Sequence, residues 1–391
     1  MIKKITLVAC LFLMLHTLQA KNMVVGAARF DQYISTIKDK SVGLVVNQTS
    51  MVGNTHLLDT LLSLGIDVHV VFAPEHGFRG TADAGEHVKN GVDPKTNTVI
   101  VSLYGDNKKP KPGQLKDLDV LIFDIQDVGV RFYTYISTLQ YVMEACAEGN
   151  KQLIVLDRPN PNGHYVDGPV LESSFKSFVG MQTIPVIHGM TVGEYALMLN
   201  GEKWLENKVQ CQLTVVKCLH YDHKTFYSLP VKPSPNLPNM KSIYLYPSLC
   251  FFEGTKAVSL GRGTSKPFQI YGSNQFTTAT FPYSFTPKSV TGAKNPPLLN
   301  QKCVGYDLSK LSIETLQQQK FTLKYVLNAY KLSKNKSDFF TDFFNQLSGS
   351  SQLKNQIEKG MDEKSIRATW QKDLKVFKEI RKKYLLYKDF E

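Results

Sequence analysis

VLIFDIQDVGVRFYTY, residues 120–135, is the stretch on which the fold turns. Its first four residues, Val120, Leu121, Ile122 and Phe123, are apolar, and they open without a spacer into Asp124, Gln126, Asp127, Gly129, Arg131, Tyr133 and Tyr135. The pattern is that of a buried strand delivering polar groups to its own carboxyl end, and open α/β sheets bind ligands in the crevice outside such ends. Two more stretches read the same way. Residues 66–72, apolar apart from Asp67 and His69, run through Ala73 into Pro74, Glu75, His76, Gly77, Phe78, Arg79 and Gly80. Residues 153–156 end in Asp157, Arg158, Pro159, Asn160, Pro161, Asn162 and Gly163. Three strand ends carrying carboxylates, arginines, histidine and asparagine point to small-molecule chemistry.

Outward from these ends, strand-like and helix-like runs alternate at 42–46, 55–64, 66–72, 98–103, 120–123, 139–147 and 153–156. This βαβ rhythm predicts the α/β class: a mostly parallel, doubly wound sheet with helices on both faces. Residues 193–199 read as a helix and 211–216 as a strand. Pro230, Pro233, Pro235 and Pro238 then break the pattern and mark a domain boundary, which divides the chain into 21–230 and 231–391. The second part has a Gly/Ser/Thr-rich loop (254–267), an aromatic, proline-rich stretch (276–297) and helical patterns at 313–332, 339–347 and 362–386. Within 364–387, Ile366, Trp370, Leu374, Phe377, Ile380 and Tyr384 recur every three or four residues, the signature of an amphipathic packing helix.

The N-terminus sets an expectation of export. Lys3 and Lys4 precede an apolar segment (5–15) and then Gln19 and Ala20, so residues 1–20 read as a cleaved signal peptide and the mature chain as periplasmic or secreted. Lipidation at Cys10 is the weaker reading. No later segment is apolar for long enough to span a bilayer, so no integral membrane segment is expected after cleavage. Of 391 residues, the remainder suffices for two ordinary domains. Cys146, Cys211, Cys218, Cys250 and Cys303 are odd in number and scattered, hence no disulfide framework; Cys211 and Cys218 suggest at most one bridge. The net charge of +12 is concentrated in short lysine runs, which attract anionic partners such as acidic sugars or membrane surfaces. A solvated basic face is the simpler account, and no nucleic-acid partner is expected.

Absences narrow the chemistry further. The sequence has no G-x-G-x-x-G after a strand, no G-x-x-x-x-G-K-[ST], no G-x-S-x-G and no H-E-x-x-H, so no cofactor is expected. His76, Asp83, Glu86 and His87 are of metal-ligating types, but their spacing matches no metal motif, and no metal is assigned. Glu75 stands out: Pro74 fixes the backbone before it, and Gly77 and Gly80 allow a sharp turn after it. A partly desolvated carboxyl there suits a general acid, while pairing with Arg79 or capping the next helix is an equally good account. Asp124 and Asp127 supply the further carboxylates that glycoside hydrolysis needs; a salt-bridge network with Arg131 that merely holds the loop explains them as well. Arg131, Arg158 and Arg262 are candidates for gripping an acid group, and Tyr133, Tyr135 and Tyr246 for hydroxyl contacts or a sugar platform. Thr191 and Glu194 read first as a capping box at a helix start, with His188 just ahead of it.

Taken in order, Pro74-Glu75-His76-Gly77, residues 124–135, residues 157–161, His188-Gly189-Met190-Thr191, Pro233-Ser234-Pro235-Asn236, Glu253-Gly254-Thr255 and Gly261-Arg262-Gly263-Thr264 resemble the exo-β-N-acetylmuramidases of the NamZ type. The likeness runs from about Gly43 to the C-terminus. It implies an exported hydrolase that removes terminal β-linked N-acetylmuramic acid from the non-reducing end of peptidoglycan fragments. It also implies a Rossmann-like first domain, a smaller α+β second domain and a site in the cleft between them. The chain departs from the family pattern at Lys256, Asp167, Tyr221 and His223. In this reading Glu75 protonates the glycosidic oxygen, and Asp124 or Asp127 activates water or orients the acetamido group, with Asp167 in reserve. Arg131 or Arg262 meets the lactyl carboxylate, and Gln126 or Asn160 the N-acetyl group. His76, Tyr133, Asp157, Arg158, Asp167, His188, Asn236 and Glu253 complete the expected substrate-binding set. The rival readings are a non-catalytic protein that captures cell-wall fragments and a metal-dependent hydrolase.

Overall fold

The structure is a computed structural model and describes residues 22–78, 90–277 and 281–391. The expected signal peptide and the candidate ligands Asp83, Glu86 and His87 lie outside these residues. Six parallel strands build the central sheet: β1 (Val42–Val46), β2 (Val68–Ala73), β3 (Val99–Ser102), β4 (Val120–Asp124), β5 (Gln152–Leu156) and β6 (Gln212–Val216). Their spatial order is 3-2-1-4-5-6, with the two-residue strand Gly91–Val92 pairing antiparallel at the outer edge of β3. That order is the Rossmann arrangement, whose switch point falls between β1 and β4.

Continuous apolar runs are what a strand covered on both faces requires. Val42, Leu44 and Val46 of β1 and Val120 and Ile122 of β4 join one apolar cluster, together with Leu57, Leu58 and Leu61 of helix α1 (Leu57–Ser63). The alternate residues Val45, Leu121 and Phe123 join the other, together with Leu139, Val142 and Met143 of α2 (Tyr135–Glu148) and Met198 and Leu199 of α3 (Val192–Gly201). Side chains alternate across a strand, so helices cover both sides of the sheet. Thr191 and Glu194 form the expected capping box at the start of α3.

The C-terminal part opens with α4 (Met240–Leu249) and carries a small antiparallel sheet of β7 (Ile270–Ser273), β8 (Tyr283–Phe285) and β9 (Cys303–Asp307), in the order β7-β9-β8. Six helices follow: α5 (Ile313–Gln319), α6 (Lys324–Leu332), α7 (Asp342–Ser348), α8 (Gln352–Glu358), α9 (Glu363–Thr369) and α10 (Gln371–Lys382). Two long helical patterns are therefore interrupted. Lys320, at φ 57°, ends α5 in a left-handed turn, and Trp370 separates α9 from α10 while its side chain stays in the core. The apolar stripe survives the break, with Ile366, Trp370, Leu374 and Phe377 all buried.

The chain's end packs back onto its first half. Arg367 makes two bonds to Asp167, of 2.6 and 2.8 Å, Leu386 N–H donates to Glu194, and the Tyr387 hydroxyl donates to Asp157. The five described cysteines are buried and unbridged, Cys211 and Cys218 included. Among the described residues no helix is long and apolar enough to cross a membrane.

Candidate active site

A cavity of about 230 Å³ lies over the carboxyl ends of β2, β3 and β4. Glu75 enters it two residues past β2, followed by His76 at φ 68° and Gly77 at φ 75°. These two left-handed residues, closed by Gly77 N–H donating to Pro74 O at 2.9 Å, reverse the chain directly behind the carboxylate. The Tyr104 hydroxyl, just beyond β3, donates to Glu75 Oε1 at 3.1 Å, and the Thr134 hydroxyl donates to Oε2 at 2.9 Å. Thr134 sits at the N-cap of α2 yet makes no capping bond. Its hydroxyl faces the carboxylate instead of the helix's free N–H groups, so a residue type that ordinarily caps here orients Glu75.

The rest of the lining comes largely from the C-terminal part. Glu253 follows α4 in a single-turn helix, where Gly254 lies so close to the Phe344 backbone that a Cβ would stand 2.4 Å from its Cα. Arg262 is presented between Gly261 and Gly263, both at φ 77°, and its Nε donates to Glu253 Oε1 at 2.9 Å, with Nη2 bonded to the same oxygen. The guanidinium also lies over the Phe268 ring, 5.2 Å from its centre. Asn236, held by its amide on Gly292 O at 2.8 Å, and Tyr133, whose hydroxyl donates to Pro233 O, complete the polar lining; Phe132, Tyr246, Phe178 and Phe268 supply aromatic surface. Among the described residues, the cavity's carboxylates are Glu75 and Glu253 and its guanidinium is Arg262.

The remaining expected site residues do not line this cavity. Asp124 is fully buried, and Arg158 holds both its oxygens, Nε on Oδ1 at 2.6 Å and Nη2 on Oδ2 at 2.9 Å. That ion pair removes both residues from the expected catalytic and binding set. Asp157 is likewise fully buried and accepts from the Thr191 and Tyr387 hydroxyls and the Gly193 and Arg158 N–H groups, which ties α3 and the C-terminal tail to the end of β5. Burial pushes its carboxyl up to about 6. Arg131, expected on the substrate's acid group, is instead an internal strut: it donates to the carbonyls of Pro169, Ile184 and Leu347, and burial lowers its guanidinium to about 9. Gln126 bridges the Asp127 and Pro159 carbonyls, Asn160 holds Met190 O, and Asp167 is taken by Arg367.

Asp127 and His188 form a separate buried pair. The Gly129 N–H donates to Asp127 Oδ2 at 2.6 Å, and His188 Nε2 lies 3.9 Å from the same oxygen. Among the described residues, Asp127 Oδ1 and His188 Nε2 have no hydrogen-bond partner. Burial pushes Asp127 up to about 7. Burial, with the charges of Arg381 and Arg131, drives His188 down to about 3. Asp127 is thus corrected from a cavity carboxylate to an interior one.

Tyr104, Thr134 and Phe178 were missed as site residues. Tyr104 follows an apolar strand as Glu75 does, so the strand-end rule reaches it; Phe178 carries no local signal.

Fold and cavity together define a Rossmann-like α/β protein with a polar cavity over its strand ends, lined by two carboxylates. The family descriptions "Exo-beta-N-acetylmuramidase NamZ, N-terminal" and "C-terminal" match residues 42–241 and 244–387. The chain belongs to the exo-β-N-acetylmuramidase NamZ family. It is 39% identical over 380 residues to the peptidoglycan beta-N-acetylmuramidase NamZ of Bacillus subtilis (strain 168), covering 91% of this chain and 89% of that one. Crystal structures of two DUF1343 family proteins from Bacteroides fragilis have the same fold. One is 49% identical with a TM-score of 0.88, the other 31% with 0.76; each comparison covers 94% of this chain and 99% of the other.

Proposed function

We propose that this protein is an exo-acting glycosidase that releases terminal β-linked N-acetylmuramic acid from the non-reducing end of peptidoglycan fragments. The observation that carries this reading is one cavity lined by two carboxylates, Glu75 and Glu253, with Arg262 beside the second. Its volume, about 230 Å³, lies below the roughly 300–1,000 Å³ of drug-sized ligand sites. One sugar ring fits such a space better than a chain, as exo action demands.

Glu75, oriented by Tyr104 and Thr134, delivers the proton to the glycosidic oxygen. Glu253, in its ion pair with Arg262, supplies standing negative charge in the same cavity, where an oxocarbenium-like centre develops or water attacks. Arg262 is the cationic partner for the lactyl carboxylate, and Asn236 an amide partner for the acetamido group. The basic, lysine-rich surface and the N-terminal sequence support an exported enzyme that meets acidic cell-wall glycans.

Incubation with a muramic acid–glucosamine disaccharide, followed by product mass and anomer analysis, tests this reading. Free N-acetylmuramic acid and N-acetylglucosamine are the expected products. Tight binding of the disaccharide without turnover would instead identify a capture protein.

A further inference from the structure

A second cavity, of about 420 Å³, adjoins the first, and Phe178 belongs to the lining of both. The Tyr141 and Phe178 rings stack at 6.1 Å with planes 12° apart, and Trp204 adds a third half-buried aromatic. Sugar rings bury their C–H faces on such surfaces, and half-buried aromatics offer large contact area at small entropic cost. Gln182 is fixed by its amide on Gln140 Oε1 and Trp204 O, which sets planar amide edges beside the rings.

The charges here are not alike in their partners. Glu144 is buried and accepts from Gln140, Lys109 and the Glu206 N–H, while Glu206 reaches solvent. Lys108 has its ammonium 4.7 Å from the Phe178 ring centre, and Lys176 Nζ donates to Gln182 Oε1 at 3.4 Å. Neither lysine has a carboxylate partner among the described residues. Two ammonium groups and an aromatic stack, sharing Phe178 with the proposed pocket for one terminal sugar, match the chemistry of a glycan that carries a second carboxylate further along.

We infer that this cavity binds the leaving side of the substrate, with Tyr141 and Phe178 under a sugar ring and Lys108 and Lys176 meeting the lactyl carboxylate of the next muramic acid. The inference rests on the muramidase reading and names the glycan length and charge that the same site prefers.

The test compares the muramic acid–glucosamine disaccharide with its tetrasaccharide on the parent and on the Lys108→Ala/Lys176→Ala double variant. Both lysines are at the surface, and thermal unfolding confirms an intact fold. The parent is expected to show a KM for the tetrasaccharide about five- to thirtyfold below that for the disaccharide, and the double variant to lose this advantage while keeping the parent's disaccharide kinetics. Amidating the inner lactyl carboxylate should reproduce the loss in the parent. Equal kinetics on both glycans in parent and variant, or equal losses on both, would overturn the inference and leave the muramidase reading standing. Selective loss on a disaccharide bearing an acidic peptide, with the tetrasaccharide unaffected, would assign the cavity to the peptide and overturn it too. A parent that releases muramic acid from neither glycan overturns both readings.

Discussion

Two sets of polar residues gather near the carboxyl ends of the sheet and meet different fates. Glu75, His76, Asn236, Glu253 and Arg262 open onto a cavity; Asp124, Gln126, Arg131, Asp157, Arg158 and Asn160 turn inward and bond one another or the backbone. At a strand end, residue type alone does not separate the two. The difference lies in partners: interior groups find theirs among side chains and carbonyls dozens of residues away, as Asp124 does in Arg158, whereas Glu75 is held by two hydroxyls on the wall of an open space. The interior set holds the fold together, and the cavity set is the one proposed to carry the chemistry.

The sharpest way to break this contrast is Glu75→Gln. Loss of a general acid is expected to lower turnover by about 10²–10⁴-fold while the melting temperature stays near the parent's, as release assays and calorimetry would report. Glu253→Gln should follow with a comparable but smaller loss of kcat, again without unfolding. The interior set should respond the other way round. Asp124→Ala strands the Arg158 charge in a dry interior, so urea unfolding should show a loss of about 3–5 kcal/mol, while KM of the protein that remains folded is unchanged.

Asp127 gives the smallest and most specific effect. Its carboxyl sits at about 7 in the fold, against an ordinary 3.8, so between these values the native chain holds a proton that the unfolded chain has released. Stability from this group is therefore full below about pH 4 and is lost as pH rises through about 7. Asp127→Asn removes that slope: relative to the parent, the variant should gain roughly 2–4 kcal/mol between about pH 4 and about pH 8 in urea titrations. His188 acts in the opposite direction. Kept neutral down to about 3, it contributes stability that is lost as pH falls below about 6.5, and this slope, common to both chains, cancels in the comparison.

Much of the fold was legible because the strands are short continuous apolar runs separated by helical periodicity, which only a doubly covered parallel sheet satisfies. The helix breaks at Lys320 and Trp370 were not, since the apolar period continues through them. Of the cavity lining, Glu75, His76, Tyr133, Asn236, Glu253 and Arg262 were singled out through their motifs. Glu253 was read as a contact residue, because nothing local announces that it shares a cavity with Glu75, 178 positions away. Asp124 and Arg131 were misread for the converse reason: a polar residue after a buried strand has the same sequence whether its partner is a ligand or Arg158 and Leu347 O.

The most direct test of the contrast is a crystal structure of Glu75→Gln with the intact muramic acid–glucosamine disaccharide. The sugar is expected with its glycosidic oxygen beside the introduced amide, its anomeric carbon facing Glu253, and Asp124 still paired with Arg158. A muramic ring seated on Asp124, Asp127 or Arg131, with Glu253 turned away from it, would contradict the account.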